Sequence, residues 1–471
     1  MTARRRDAWT WAVVAVVVAG AVIRFATLDV QSMWLDEAVT HSLVTRSFGA
    51  MLSAIPHSES TPPLYYVLEW VWARVFGFGA VGLRSLSALF GIATIVVLAA
   101  IAGRFGGRRA ALAAAAAATF SPLLIWYSQE ARAYALLVLL CALTVLCLVR
   151  SDWRGWALAA AAALGTHYFA VFIVIPEALW LLWRHGRRSR RAALSLAAVA
   201  VVGAALLPLA IVQASGNRAR FISATGLGSR TVAVPKQFLV GYATPGATVL
   251  TVLAVLAALG LALSLRRRDG HLLALAAIAV VVPIALAVFG ADYVITRNLI
   301  MAMVPLVALA GVAASRTRLA GPALIGLLCA VGVVAFVGVE LTPGDQRDDW
   351  RGVGNAMGPA LLGPRVVVVD PSDGAPALRL YVKLKRVPPS LGTVLTTREI
   401  DVIDVARNPP LPSPSAGIPG FVAQPVVHTG AYTLERYVAA TPLAESYAQI
   451  GAVALVPGSG VNGGPAILTG G

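Results

Sequence analysis

Apolar runs of about twenty residues recur along the first 340 positions of this chain, broken by short clusters of arginine. No other feature limits the possible folds so strongly. Eleven such runs stand out: 10–28, 82–102, 110–128, 133–149, 155–167, 168–183, 192–213, 247–265, 271–290, 298–314 and 320–340. Hydrophobic residues make up 58% of the chain and charged residues only 13%, against about 25% charged in a typical soluble domain. A water-soluble core cannot absorb that much apolar surface, whereas a bilayer can.

The arginine clusters set the expected topology. They are Arg104, Arg108 and Arg109; Arg150 and Arg154; Arg184, Arg187, Arg188, Arg190 and Arg191; Arg266 to Arg268; and Arg316 with Arg318. Positive residues concentrate at cytoplasmic span ends. With every cluster and the N-terminus in the cytoplasm, an even number of crossings must separate successive clusters. The eleven segments meet this condition if 155–183 holds two short crossings that turn outward at Gly165-Thr166-His167. Arg4-Arg5-Arg6 followed by an apolar stretch resembles a signal peptide, but the many later spans favour an uncleaved first span. The expectation is a multi-pass protein of the plasma (inner) membrane, its N-terminus cytoplasmic and its C-terminal part extracytoplasmic.

The net charge of +16 does not point to nucleic acid, because the basic residues lie at span ends and no long basic stripe or nucleic-acid motif occurs. Cys141, Cys147 and Cys329 lie inside apolar runs with no metal-ligand spacing, and read as small core residues.

The outside segments are then 29–81, the short turn around Ser128 to Arg132, 214–246, the turn around Ala291 to Arg297, and everything after Leu341. Residues 64–78 are apolar and aromatic but too short to span comfortably, which suits a helix lying in the membrane interface. Residues 234–243 read as a second one. Composition changes at Thr342-Pro343-Gly344-Asp345, and a small α/β domain is expected over 341–471, after a membrane domain over 1–340. Within it Val366 to Val369 reads as a buried strand, Pro376 to Lys385 as a short helix and Ala431 to Ala439 as a strand. The Gly-rich stretch from Pro457 reads as a disordered tail.

Ionisable residues at or near spans are costly, and so point to function. Trp34-Leu35-Asp36-Glu37 puts two adjacent carboxylates just past the first span; in a cleft beside lipid one would be partly desolvated, as suits a general base. Alone, the pair is as well read as a solvated loop. Glu59 precedes the rigid Pro62-Pro63 turn and could bind a metal or a sugar hydroxyl, or merely cap a helix; His57 beside it reads as incidental. Glu130 and Arg132 share a very short turn, where Arg132 suits a phosphate and a local ion pair is the plainer alternative. His167 could be a metal ligand or proton carrier, or a polar residue reaching the interface. Arg297 opens a span where a lipid phosphate would sit, or anchors it there. Arg24 and Arg84 read as structural, and Glu177, deeper in its segment, has no assignment.

Together, carboxylates, arginines and a histidine at one membrane face, beside an aromatic amphipathic segment, suit glycosyl transfer from a lipid-linked phosphate. That reaction needs a base for the acceptor hydroxyl, positive charge for the leaving phosphate, and an apolar groove for the prenyl tail. The order of motifs is specific: Arg24; Trp34, Asp36 and Glu37; Glu59 before Pro62 to Tyr66; Ser128 to Leu136 (SQEARAYAL); Thr166 to Phe169 (THYF); Arg297; and Asp348 to Gly352 (DDWRG) after the last span. Over about residues 20–300 it resembles the bacterial branch of the protein O-mannosyltransferase and aminoarabinose-transferase superfamily, GT-C fold glycosyltransferases that use polyprenyl-phosphate sugars.

The resemblance implies a GT-C-like membrane domain of about eleven helices. It implies Asp36 as catalytic carboxylate with Glu37 supporting, Glu130 as a second acid of the site, and Arg132 as a phosphate contact. Tyr65, Tyr134 and Arg297 in the same motifs join the candidate substrate contacts. Some relatives hold a divalent metal ion with the acid before Pro-Pro and a histidine, here Glu59 and His167. Relatives often carry Arg-Tyr where this chain has Arg297-Asn298. The implied partners are a polyprenyl-phosphate sugar donor, an acceptor that is a lipid, a polysaccharide or a protein, and the bilayer, with no nucleic acid. The rival readings are a transporter or lipid flippase, which should show inverted repeats and polar residues at the midplane, and an inactive scaffold.

Overall fold

Hydropathy builds the first half of the molecule. In the computed structural model, which describes residues 3–185, 189–216, 218–361, 363–388, 393–406, 418–453 and 466–470, every one of the eleven apolar runs is largely helical. Arg187 and Arg188, and the stretch 454–465, lie outside the described residues.

The chain divides into two compact units, Met1–Leu28 with Leu43–Gly338, and Asp29–Ser42 with Val339–Gly471. The sequence boundary near 341 is therefore incomplete, because the segment just after the first span groups with the C-terminal unit.

The helices run in chain order α1 (Ala3–Ala26), α2 (Leu35–Val44), α3 (Phe48–Ser58), α4 (Leu64–Phe76), α5 (Ala80–Thr119), α6 (Pro122–Ser128), α7 (Tyr134–Val149), α8 (Trp153–Thr166), α9 (Val171–His185), α10 (Arg190–Ser215), α11 (Arg220–Ser223), α12 (Leu227–Val240), α13 (Ala247–Ala262), α14 (Gly270–Val288), α15 (Met303–Ala314) and α16 (Ala320–Leu341). Among its described residues the regular elements of the first unit are all helical. Among the described residues, seven helical stretches are long and apolar enough to cross a membrane by length and composition, and α7 and α13 are shorter apolar helices. The protein is thus a multi-pass membrane protein.

Local chemistry explains the breaks. Residues 80–119 form two helices joined at Gly107, whose φ of 71° is a left-handed conformation that a side chain would resist. The alanine-rich second half packs on α15, small residues letting two backbones approach closely. Between α8 and α9 the chain breaks at His167, which is extended (φ −157°). The expected interfacial helix at 234–243 begins earlier, at Leu227, and ends at Val240.

The second unit is built on a sheet in the order β2 (Lys385–Arg386), β7 (Ala466–Gly470), β1 (Arg365–Asp370), β3 (Val394–Val405), β6 (Tyr432–Ser446), β4 (Val422–Ala423), with β5 (Val427–His428) also on β6. Strands β1 and β3 pair in parallel, Val366 opposite Ile400 and Val368 opposite Val402. The valine run of β1 is buried along its whole length, as a strand covered on both faces must be. Val367, Val369, Ile403 and Leu434 meet Trp350 and Val353 of α17 (Trp350–Met357) on one face. Val366, Val368, Ile400 and Tyr437 meet Ile418 and Ile450 on the other, Ile450 coming from α19 (Tyr447–Val453).

Two expectations for this unit need correction. The helix foreseen over 376–385 is only α18 (Ala375–Leu378), after which Lys385 and Arg386 pair with β7. The glycine-rich tail is not wholly without structure: its end, Ala466–Gly470, is a sheet strand between β1 and β2. The strands around it supply the hydrogen-bond partners that its own composition does not announce.

Candidate active site

In the first unit the site grows from the loop between α3 and α4. Glu59 ends α3 in an extended conformation, and Pro62-Pro63 then fix the start of α4. The loop is held from α10: the Gln213 side-chain amide donates to the carbonyls of Thr61 (3.0 Å) and Ile55 (3.4 Å). Just beyond, Arg218 donates to the Glu59 carbonyl at 3.1 Å and to the His57 carbonyl. The Gln213 oxygen in turn accepts from the Tyr168 hydroxyl at 2.7 Å. One buried glutamine thereby ties the Glu59 loop to the residue after His167.

Arg132 sits in the turn between α6 and α7, tightened by its own N–H donating to the Glu130 carbonyl at 2.8 Å. Its guanidinium grips the Glu59 carboxylate with two parallel bonds of 2.9 Å each. Such a two-pronged, charge-assisted pair is among the strongest polar contacts. Glu59 is 2% and Arg132 11% exposed, so the pair is largely withdrawn from water. The guanidinium also lies 5.9 Å from the Tyr66 ring centroid, within cation–π range. Burial is the main force pushing the Tyr66 hydroxyl up, with Arg132 opposing it; burial and the Glu69 charge push Tyr65 up too. Both phenols therefore stay neutral.

The other predicted residues fall around this pair in several ways. Tyr65 is fully buried with its hydroxyl 3.3 Å from the Ser87 hydroxyl, which fastens α4 to α5. Tyr134 stands between Tyr127 and His167, at ring-centroid distances of 4.8 and 5.6 Å, and His167 continues to Phe169 at 5.1 Å. The His167 Nδ1 accepts from the Phe169 N–H at 3.3 Å, so its ring is the tautomer that carries its proton on Nε2. Arg132 and Arg297 both lie within electrostatic reach of this imidazole. Arg297 is half-buried, its guanidinium 5.5 Å over the Phe221 ring. Glu130 is buried within electrostatic reach of Tyr127 and Tyr242.

Arg24 and Arg84 both bond to backbone carbonyls. Arg24 donates to the carbonyls of Ala118 (3.1 Å) and Thr119 (3.3 Å) at the end of α5 and to the Ser128 hydroxyl (3.1 Å), satisfying helix-end acceptors. Arg84 donates to the Leu28 carbonyl at 2.6 Å.

Glu59 and His167 do not form a metal-binding set. Each Glu59 oxygen is taken by an Arg132 nitrogen, a cation that a metal ion would have to displace, and the Nδ1 of His167 is already engaged. Among the described residues no three histidine, cysteine or acidic side chains gather as a metal site would require.

Asp36 and Glu37 belong to the second unit, in the first turn of α2. Glu37 is fully buried and reaches back to the Trp34 N–H at 3.4 Å, as a capping glutamate does. Asp36 is half-buried and within electrostatic reach of Asp373.

Sequence reasoning missed Gln213, Arg218 and the Arg230–Asp292 pair, whose two bonds measure 2.8 and 2.6 Å. Gln213 was visible as a polar residue closing an apolar run, although its partners were not.

ArnT from Cupriavidus metallidurans, solved bound to undecaprenyl phosphate, superposes with a TM-score of 0.55 at 14% identity, over 92% of this chain and 98% of its own. The fold is therefore that of the GT-C membrane glycosyltransferases. The archaeal oligosaccharyltransferase AglB from Archaeoglobus fulgidus, in complex with an inhibitory peptide and a dolichol-phosphate, superposes at a TM-score of 0.46 and 12% identity, over 76% of this chain and 58% of its own. Residues 60–212 match the family described as dolichyl-phosphate-mannose-protein mannosyltransferase. That match lies within the helical unit, while the likeness of fold to ArnT covers 92% of the chain. No curated protein matches it in sequence.

Proposed function

We propose that this protein transfers one sugar from a polyprenyl-phosphate donor to an acceptor hydroxyl on a lipid, a polysaccharide or a protein, at the extracytoplasmic face of the plasma membrane. Asp36 takes the proton of the acceptor hydroxyl as it attacks the anomeric carbon. The bond from that carbon to the donor phosphate breaks, and the phosphate leaves as an anion. Arg132 and Arg297 stabilise that anion, and Glu59 keeps the Arg132 guanidinium oriented. Tyr66 and Tyr134 line the cationic region with neutral rings, and Glu37 holds the start of α2.

The observation that carries this reading is that Arg132 and Arg297 both lie within electrostatic reach of the His167 imidazole, which packs on Tyr134 and through it on Tyr127. It occurs in a fold that ArnT uses with undecaprenyl phosphate bound. Cations among aromatic rings suit a phosphate on an apolar tail.

Purified full-length protein in lipid vesicles, given radiolabelled polyprenyl-phosphate hexoses and pentoses, should release label from one of them to an acceptor or to water. Mass analysis of copurifying lipid should identify a polyprenyl phosphate. Release of label from none of the donors, with no such lipid bound, would sink the proposal.

A further inference from the structure

The motif Asp348 to Gly352 follows the last span, and two of its residues, Asp348 and Arg351, reach the segment 29–33 just before Asp36. Arg351 donates to the carbonyls of Asp29 (2.7 Å) and Val30 (2.8 Å) and pairs with the Asp29 carboxylate (3.2 Å). The Ser32 hydroxyl donates to the Asp348 carbonyl at 2.7 Å. Arg347, just ahead of the motif, donates from its backbone N–H (3.2 Å) and its guanidinium (3.1 Å) to the Gln31 oxygen, while the Gln31 amide donates to Glu340 at 2.9 Å. The Met33 N–H donates to the Tyr381 hydroxyl at 2.7 Å.

The motif that makes these bonds is itself anchored. Asp349 caps α17 by accepting from the Gly352 N–H at 2.9 Å. Trp350 is 1% exposed and lies so close to Gly374 that any side chain there would run into its ring at 2.2 Å. Ala38 of α2 enters the same core as Trp350 and Val353.

Helix interiors need no such help, but a loop leading into a first turn does. All five residues from 29 to 33 are bonded to residues between 340 and 381 through a side chain of one partner or the other, and Asp36 follows three residues later. We infer that Arg351 and Arg347 are positioning residues for the catalytic acid: the C-terminal unit carries and aims the Asp36 loop, and is part of the transferase machinery rather than an appended module. The inference rests on the reading of Asp36 as base.

Arg351 is the residue to change, because it is partly exposed (35%) and its loss leaves the core of Trp350 untouched. In the full-length protein, R351A should lower kcat about 10- to 100-fold, the scale of a small misplacement of a reacting group. KM for the polyprenyl-phosphate donor and the melting temperature should stay as in the wild type. Amide exchange over 29–42 should accelerate. R351K, which restores the charge but not the planar fork, should recover part of the rate. Wild-type kcat in R351A beside faster exchange would overturn the inference, and so would a fall in melting temperature in step with kcat. Asp36→Asn run in parallel separates the two claims. An active Asp36→Asn overturns the base assignment, whereas an inactive one beside a fully active R351A overturns only the positioning role.

Discussion

Glu59 and Asp36 are both acids picked out by motif, and their surroundings differ sharply. Glu59 is 2% exposed, gives both oxygens to Arg132 and its carbonyl to Arg218. Asp36 is half-buried, at the N-terminal turn of a short helix, with another acid, Asp373, as an electrostatic neighbour. The Glu59 carboxylate is already engaged by Arg132 through both oxygens, whereas Asp36 stands at a more accessible turn. The same residue type is thus a holder in one loop and a candidate base in the other, and the environment makes the division.

The contrast breaks or stands on two substitutions. Asp36→Asn should cost about 10²–10⁴-fold in kcat, the range of a lost general base, with no fall in melting temperature. Glu59→Gln should do the reverse in kind. It strands a buried Arg132, at about 3–5 kcal/mol of stability, visible as a lower melting temperature and a poorer yield of folded protein. A stable but inactive Glu59→Gln would make Glu59 a chemical residue and erase the contrast. A smaller effect sharpens it. Gln213→Leu leaves the Glu59 carboxylate in place but removes the bonds that hold its loop, and should cost about 1–3 kcal/mol, with KM for the donor rising more than kcat falls.

The limits of the sequence follow the same division. Spans were legible because twenty apolar residues in a row have one physical meaning. The short turn at Ser128 to Arg132 was legible as a place for chemistry, but Arg132 reads there as a partner of Glu130, its neighbour. The structure pairs it with Glu59, 73 residues away, because the Pro62-Pro63 turn and Gln213 bring that loop to it. The same holds for Asp36. Its motif is local, yet what fixes its loop lies more than 300 residues along the chain, at Arg347 to Arg351. Short polar segments carry no periodicity to announce such partners. Strand β7 escaped for a related reason. Glycine-rich flanks hide a five-residue strand whose pairing comes entirely from β1 and β2.

The smallest effect tests the acidic setting of Asp36 directly. Burial is the main cause pushing the Asp373 carboxyl up, and Asp36 and Asp370 add to it. An acid with a raised value in the folded state holds its proton more tightly there than in the unfolded chain. Its contribution to stability is therefore complete below the ordinary carboxylate range and is lost as pH rises through the folded value. Asp373→Asn removes a charge that is costly only when ionised. The variant should melt a few degrees above wild type near pH 8 and close to wild type near pH 4, roughly the ordinary carboxylate value. Adding Asp36→Asn to the wild type relieves part of the same repulsion, so the gain from Asp373→Asn should shrink in that background. Thermal unfolding of the four full-length proteins across this range measures both trends. A gain unaffected by Asp36 would mean that Asp36 and Asp373 do not interact. The contrast with Glu59 would then rest on accessibility alone.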